Sequence, residues 1–257
     1  MLKIKEIPAF ESNYIWAIIN SDSNDCAVVD PGDAAPVRDF VKTHHLNLKT
    51  ILITHHHADH VGGVAQLCQD YDDLTVYGPS KENIPCLTHP LQQDDQIELP
   101  LLKLSLNILD VPGHTKGHIA YYNDDCLFIG DTLFSAGCGR MFEGTAQQFG
   151  DSLNKLKPLR AATKIYCAHE YTLANLKFAK AVEPDNKAID ARISECQALR
   201  AANQATIPST IAAEKMFNPF LRCDVESVRQ AAEQHAGKKL SNDIEVFAVL
   251  RDWKNHF

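Results

Sequence analysis

The sequence predicts an α/β fold in which sheet is packed with helices, followed by a smaller, mainly helical domain. Three observations predict it. Short apolar runs of strand length, each closed by a turn, recur through the first two thirds of the 257 residues. Near Glu170 the composition shifts to Ala, Lys, Glu, Gln and Arg, which favour helix. Between an apolar strand and a helix opening stands Thr54-His55-His56-His57-Ala58-Asp59-His60, a run of metal-capable side chains that an accidental polar loop would not be built to hold. These place a metal-bearing α/β domain over residues 1–169 and a helical domain over 170–257.

Taken in order, Tyr14-Ile15-Trp16-Ala17-Ile18-Ile19 and Cys26-Ala27-Val28-Val29 read as two strands separated by an Asn/Asp/Ser turn, the second ending in Asp30-Pro31-Gly32. Residues 35–46 read as helix. Thr50-Ile51-Leu52-Ile53 is a buried strand leading into the His run, and Val61-Gly62-Gly63-Val64 opens a helix over 62–71. Further strands are expected at Thr75–Tyr77, Ser105–Val111, Ile119–Tyr122 and Cys126–Gly130. So many strands with few helices between them suggest sheet covered by helices, not a clean βαβ repeat. Over 186–205 the apolar positions Ala188, Ile189, Ile193, Cys196, Leu199 and Ala202 follow the helical period without a sustained heptad, which excludes a zipper.

Composition narrows the function. With 33 acidic against 25 basic residues and a formal net charge of −8, the chain argues against a phosphate-backbone binder. Its eight cysteines form no C-x-x-C pair and no disulfide-scaffold spacing, as expected of reduced thiols in a cytoplasmic protein. The first residues lack the apolar stretch of a secretion signal, and no stretch is long enough to span a membrane.

The His run carries the chemistry. Alternation along an extended segment sends His55 and His57 to one side and His56 to the other, and a turn after His57 brings Asp59 and His60 round. Three later segments repeat one device, a polar residue directly after an apolar strand: Pro112-Gly113-His114-Thr115, Gly130-Asp131-Thr132 and Cys167-Ala168-His169-Glu170. Singly, Asp131 reads as a cap and His114 or His169 as a hydrogen-bonded loop residue. Together with His55, His57, Asp59 and His60 they make seven N/O ligands, the number that two metal ions share if Asp131 bridges them.

These motifs resemble the metallo-beta-lactamase superfamily and, within it, the hydroxyacylglutathione hydrolase (glyoxalase II) family. The resemblance runs almost the whole length, through Cys138-Gly139-Arg140-Met141-Phe142-Glu143-Gly144, Asn218-Pro219-Phe220-Leu221-Arg222 and Arg251-Asp252-Trp253-Lys254. It implies an αββα sandwich of two mixed sheets with a C-terminal helical, substrate-binding domain. It implies one metal on His55, His57 and His114, another on Asp59, His60 and His169, and a bridging Asp131 and hydroxide. Zinc is the expected metal, with iron or manganese compatible with the same ligands. The implied reaction is hydrolysis of S-D-lactoylglutathione to glutathione and D-lactate by that hydroxide, with no protein nucleophile. Accordingly Cys167 reads as packed, His118 as structural, and Glu143 and Glu170 as supporting carboxylates. The resemblance assigns the glutathione portion to Arg140, Phe142, Tyr171, Arg251 and Lys254. Arg140 stands where a lysine often occurs and Phe142 where a tyrosine does, which removes one hydroxyl. A small-molecule thioester, no nucleic acid, no membrane and a monomeric state are the expected partner profile. Alternative readings are a glutathione persulfide dioxygenase with one iron and a non-enzymatic protein stabilised by metal. A secreted beta-lactamase is disfavoured by aspartate, not cysteine, at position 131.

Overall fold

Tyr14–Ile19 lies within the second strand of a sheet whose first strand carries almost no apolar signal. In the computed structural model, which describes residues 1–257, β1 (Leu2–Ala9) pairs antiparallel with β2 (Asn13–Asn20), from Leu2 opposite Asn20 to Ala9 opposite Asn13. Only Ile7 and Ala9 of β1 are buried, whereas all of β2 is. That explains why only the second was legible. Next to them come β3 (Asp25–Val29), antiparallel to β2, and then β4 (Asn47–Leu52), β5 (Thr75–Pro79) and β6 (His89–Leu91), each parallel to its predecessor. Parallel neighbours need crossovers. Here they are α1 (Ala34–Thr43) between β3 and β4, then α2 (Ala58–Val61) and α3 (Val64–Asp70) between β4 and β5. Two of the three parallel crossings are thus βαβ units, while residues 80–88 join β5 to β6 without a helix, so the sheet is no clean βαβ repeat. The expected helix over 62–71 is α3, which begins at Val64 after Gly62-Gly63, and the unexpected short α2 precedes it within the His run.

The chain divides into two compact units, and the first of them spans Met1–Asp110, Gly117–Asn123 and Leu127–Gly130. It also holds a second set of strands, β7 (Gln96–Leu99), β8 (Leu104–Asp110), β9 (Ile119–Tyr122) and β10 (Cys126–Gly130), paired antiparallel in sequence order. The two sets are tied near the His run. Tyr121 hydroxyl donates to the Ile53 carbonyl at 2.8 Å, and the Ile119 amide donates to the Thr54 carbonyl at 2.9 Å. Ile15, Val28, Ile51, Val64, Leu67 and Val76 form the core beneath, all fully buried. Each such side chain contributes about 1.5–3 kcal/mol by leaving water. The platform behind the His run is thus a closely buried core.

The second unit spans Val111–Lys116, Asp124–Cys126 and Asp131–Phe257. It contains the hairpin β11 (Leu133–Phe134) and β12 (Gly137–Cys138), the antiparallel pair β13 (Lys164–Cys167) and β14 (Ser209–Thr210), and six helices. These are α4 (Ala146–Leu156), α5 (Thr172–Val182), α6 (Lys187–Ala201), α7 (Ile211–Phe217), α8 (Glu226–Ala236) and α9 (Asp243–Asn255). The helix starts are set by local chemistry: a Thr145/Gln148 capping box on α4, Asn186 on α6 and Asn242 on α9. Leu176, Ala179, Ile189, Cys196 and Phe217 pack α5, α6 and α7 together, and Phe149, Phe178, Phe220 and Phe247 form an aromatic cluster that includes α9. No helix of the chain is long and apolar enough to cross a membrane.

Candidate metal centre

In the first unit, the end of β4 delivers the His run onto α2, and a buried carboxylate organises it. Asp30, in the turn after β3, accepts from the Thr54 amide and hydroxyl at 2.7 Å each and from His60 Nδ1 at 3.0 Å. The Thr54 hydroxyl spends its proton on Asp30, so at 3.1 Å from His55 Nδ1 it is the acceptor. Both rings are thereby held as Nδ1–H tautomers with the Nε2 lone pair outward, which is what a metal takes. His55 Nε2 lies 3.1 Å from His57 Nδ1, and His60 Nε2 lies 3.6 Å from Asp59 Oδ2. Asn13 donates to that same Asp59 oxygen at 3.0 Å. Gly32 makes the approach possible, since a Cβ there would sit 1.9 Å from the Asp59 carbonyl oxygen. His56 turns the other way, its Nδ1 3.0 Å from Glu82. His118 is buried, stacked on His55 at 4.6 Å, with Nδ1 donating to the Ile119 carbonyl.

The second unit holds a set of its own. Asp131 directs Oδ2 at His114 Nε2 and Oδ1 at His169 Nε2, each at 3.4 Å. One carboxylate facing two imidazoles through separate oxygens is the geometry of a bridging ligand. His114 Nδ1 donates to the Arg140 carbonyl at 2.7 Å, and because a carbonyl can only accept, Nε2 again carries the lone pair. His169 stacks on Tyr171 at 4.6 Å with rings 3° from parallel, and Phe134 packs edge-on against it.

These spacings suit metal ions better than hydrogen bonds. Ligands about 2.0–2.2 Å from a tetrahedral ion lie about 3.3–3.6 Å from one another. The two 3.4 Å Asp131 contacts and the 3.6 Å His60–Asp59 contact match that figure and exceed an ordinary charge-assisted hydrogen bond. Asp30, His55 and His60 also lie close enough to hold an ion. Both Asp30 oxygens are already occupied by Thr54 and His60, so it orients ligands instead of binding metal. The sequence reading missed Asp30, Thr54 and Asn13. Asp30 does share the signal that marked Asp131, a carboxylate directly after an apolar strand.

The remaining expected residues fall in the second unit. Arg140, Phe142 and Tyr171 are exposed, and Phe142 lies edge-on to His114 at 5.3 Å. Lys254 on α9 is half-buried over the Phe178 ring, and burial, with Arg251 and Arg140 beside it, lowers its pKa to about 8. Arg251 is only 3% exposed, and its Nη1 donates to the carbonyls of Cys138 at 2.8 Å and Gly139 at 3.1 Å. Glu143 accepts from the Lys116 amide at 2.9 Å, and Glu170 accepts from the Thr206 amide at 2.8 Å. Cys167 is fully buried, which pushes its thiol up to about 12 and leaves no thiolate for attack.

Known proteins match the chain along its whole length. Residues 10–169 match the model of the metallo-beta-lactamase superfamily, and residues 170–257 match that of the hydroxyacylglutathione hydrolase C-terminus. The chain is 53% identical to the hydroxyacylglutathione hydrolase of Vibrio cholerae serotype O1 and 54% identical to that of Aliivibrio salmonicida, covering 100% of both chains in each case. It is 49% identical to that of Nitrosomonas europaea, over 100% of this chain and 97% of the relative. Among solved structures, ETHE1 from Myxococcus xanthus superposes with a TM-score of 0.67 at 22% identity, over 98% of this chain and 91% of that one. The fold is the expected αββα sandwich of two mixed sheets with a helical C-terminal region. Sharing half its residues with these relatives from end to end, the chain belongs to the hydroxyacylglutathione hydrolases of the metallo-beta-lactamase superfamily.

Proposed function

We propose that the chain is a binuclear-metal thioester hydrolase that cleaves S-D-lactoylglutathione to glutathione and D-lactate. The observation that carries this reading is Asp131, whose two oxygens face His114 and His169 separately at 3.4 Å. We assign one divalent ion to His55, His57 and His114, a second to Asp59, His60 and His169, and the bridge to Asp131. Zinc suits this N/O set, and iron or manganese suits it too. Two such ions, when bound, supply acidified water as nucleophile near neutral pH and neutralise the charge that develops on the thioester carbonyl oxygen.

The chain's own residues prepare that chemistry. Asp30, Thr54 and the Arg140 carbonyl hold His60, His55 and His114 in the tautomer that offers Nε2, so no ring must turn or lose a proton when the site loads. No protein nucleophile is required, and the buried Cys167 is unsuited to be one. The glutathione portion falls to Arg140, Phe142, Tyr171, Arg251 and Lys254. Arg140 and Lys254 offer charge to its carboxylates, and Arg251 stands three residues before Lys254 on the same helix. The segment 1–169 thus carries the metals and 170–257 carries much of the substrate site. All eight cysteines being free thiols fits a protein acting in the reducing cytoplasm, and we take the working form as a monomer without nucleic-acid partners.

The test joins metal analysis to the release of free thiol from S-D-lactoylglutathione. About two ions per chain and thiol release that is lost in Asp131→Ala are expected. Full activity in Asp131→Ala, or one iron with oxygen consumption on glutathione persulfide, overturns the reading in favour of its rivals.

A further inference from the structure

The loop over residues 80–88 holds a carboxylate that the chemistry above leaves unused. The Glu82 side chain is 4% exposed, with Oε2 3.0 Å from His56 Nδ1 and Oε1 accepting from the Gly117 amide at 3.0 Å. Gly117 makes room for it, since a Cβ there would lie 2.4 Å from Glu82 Cγ. A carboxylate this deep is costly unless polar partners meet it, and here they come from two separate segments. Neighbouring Lys81 pairs with Asp110, but it is 59% exposed, and such a pair contributes little in water. All five residues belong to the first unit.

Both partners of Glu82 adjoin metal-ligand positions. His56 stands between His55 and His57 and faces the other way. In an extended segment alternate side chains share one backbone, so a roll that moves the His56 ring carries both neighbours with it. Gly117 stands three residues after His114, in the loop that leaves β8 at Asp110. One carboxylate thus holds the reverse side of the His run and the far end of the His114 loop. The ligands assigned to the other ion have supports of their own, since His60 is held by Asp30 and Asp59 by Asn13.

We infer that Glu82 is a positioning residue for one of the two ions: by holding His56 and the Gly117 amide together, it sets the segments that present His55, His57 and His114. This rests on the reading of those three histidines as ligands of one ion.

The experiment compares Glu82→Ala, Glu82→Gln, Glu82→Asp and Lys81→Ala with the parent, each as full-length, zinc-loaded protein. Glu82→Ala is expected to release one zinc ion to a chromogenic chelator about 10–100-fold more readily, as loss of a ligand's outer partner does, and to hold the other as the parent does. Glu82→Gln keeps the length and an oxygen for the Gly117 amide, and is expected to retain zinc nearly as the parent. Lys81→Ala is expected to match the parent. With S-D-lactoylglutathione, kcat is expected to fall about 10-fold or more in Glu82→Ala while KM stays within about two-fold, because Glu82 touches ligand supports and not substrate. The ring 15N signals of His57 and the amide signal of Gly117, recorded on metal-free protein, need neither metal nor turnover, and both are expected to shift in Glu82→Ala. If the parent binds fewer than two zinc ions or cleaves no thioester, the hydrolase reading fails while these signals still decide whether Glu82 orients the His run. Where Glu82→Ala does not fold, Glu82→Asp, one methylene short of spanning both partners, carries the same comparisons. Parent-like zinc release with unmoved His57 signals, or equal loss of both ions, overturns the proposal.

Discussion

At the scale of single residues, the site depends on atoms that never touch an ion. Asp30 accepts three hydrogen bonds and through them orients His60 and, by way of Thr54, His55. Asp30→Ala leaves Thr54 and His60 without their common acceptor and frees the Thr54 hydroxyl that orients His55. Metal affinity is expected to fall about 10–100-fold, with Asp30→Asn losing less because its carbonyl oxygen still accepts. Competition with a chromogenic chelator measures it, and equal affinity in Asp30→Ala and the parent would remove Asp30 from the machinery. Lys254 sets a different dependence. Its pKa lies near 8, below the ordinary lysine value, because burial and then Arg251 disfavour the charged form. The cation is therefore present below pH 8 and is lost as the pH rises through it. KM for the glutathione thioester is expected to climb several-fold between about pH 7 and 9, whereas Lys254→Ala starts high and lacks that rise. A flat KM profile in the parent would contradict the role given to Lys254.

At the scale of elements, the hairpin after Asp131 is held from within its own unit. Asn218 donates to the carbonyls of Phe134 at 3.1 Å and Gly137 at 3.0 Å, while Glu214 accepts from the Ala136 amide at 2.8 Å. Asn218→Ala leaves both buried carbonyls without that donor, at a cost of about 1–3 kcal/mol. A denaturant midpoint within error of the parent would show that the hairpin does not need this anchor. Gly139→Ala is expected to cost both stability and activity, since its Cβ meets the Asp131 carbonyl oxygen 1.9 Å away, and a parent-like denaturant midpoint would contradict it. How much of this was legible follows from pattern. Of the strands carrying ligands, β10 is a continuous apolar run and β4 ends in one, Ile51-Leu52 followed by Ile53, so the polar residue at each end stood out. By contrast β1 is mostly exposed and β6 has three residues, so neither left a periodic signal. Asp30 was read as part of an Asp-Pro-Gly turn, because turn chemistry and ligand support use the same residue types there. The burial of Arg251 was hidden for a related reason. An Arg and a Lys three apart on a helix look alike in sequence, while only packing against Phe220 and the Cys138 carbonyl separates them.

At the scale of the whole molecule, the seven proposed ligands are spread from His55 to His169, more than a hundred residues of chain. An unfolded chain gains little by gathering them, because closing such loops costs entropy that nothing else offsets. Metal should therefore bind the folded state far better than the unfolded one and stabilise it by mass action. Free metal at about 100 times its Kd contributes about 2.7 kcal/mol. For a protein of this size each kcal/mol moves Tm by about 2–4 °C, so chelation is expected to lower Tm by about 5–10 °C and added zinc to restore it. Asp131→Ala sharpens the test. If Asp131 bridges two ions, its loss weakens both sites together, and most of the metal-dependent shift goes with it. If each ion is held independently by three other ligands, the variant keeps nearly the whole shift while losing hydrolysis. Calorimetry of both proteins with and without chelator distinguishes the two, and a parent protein whose Tm ignores chelation would refute linkage between the metal centre and the fold.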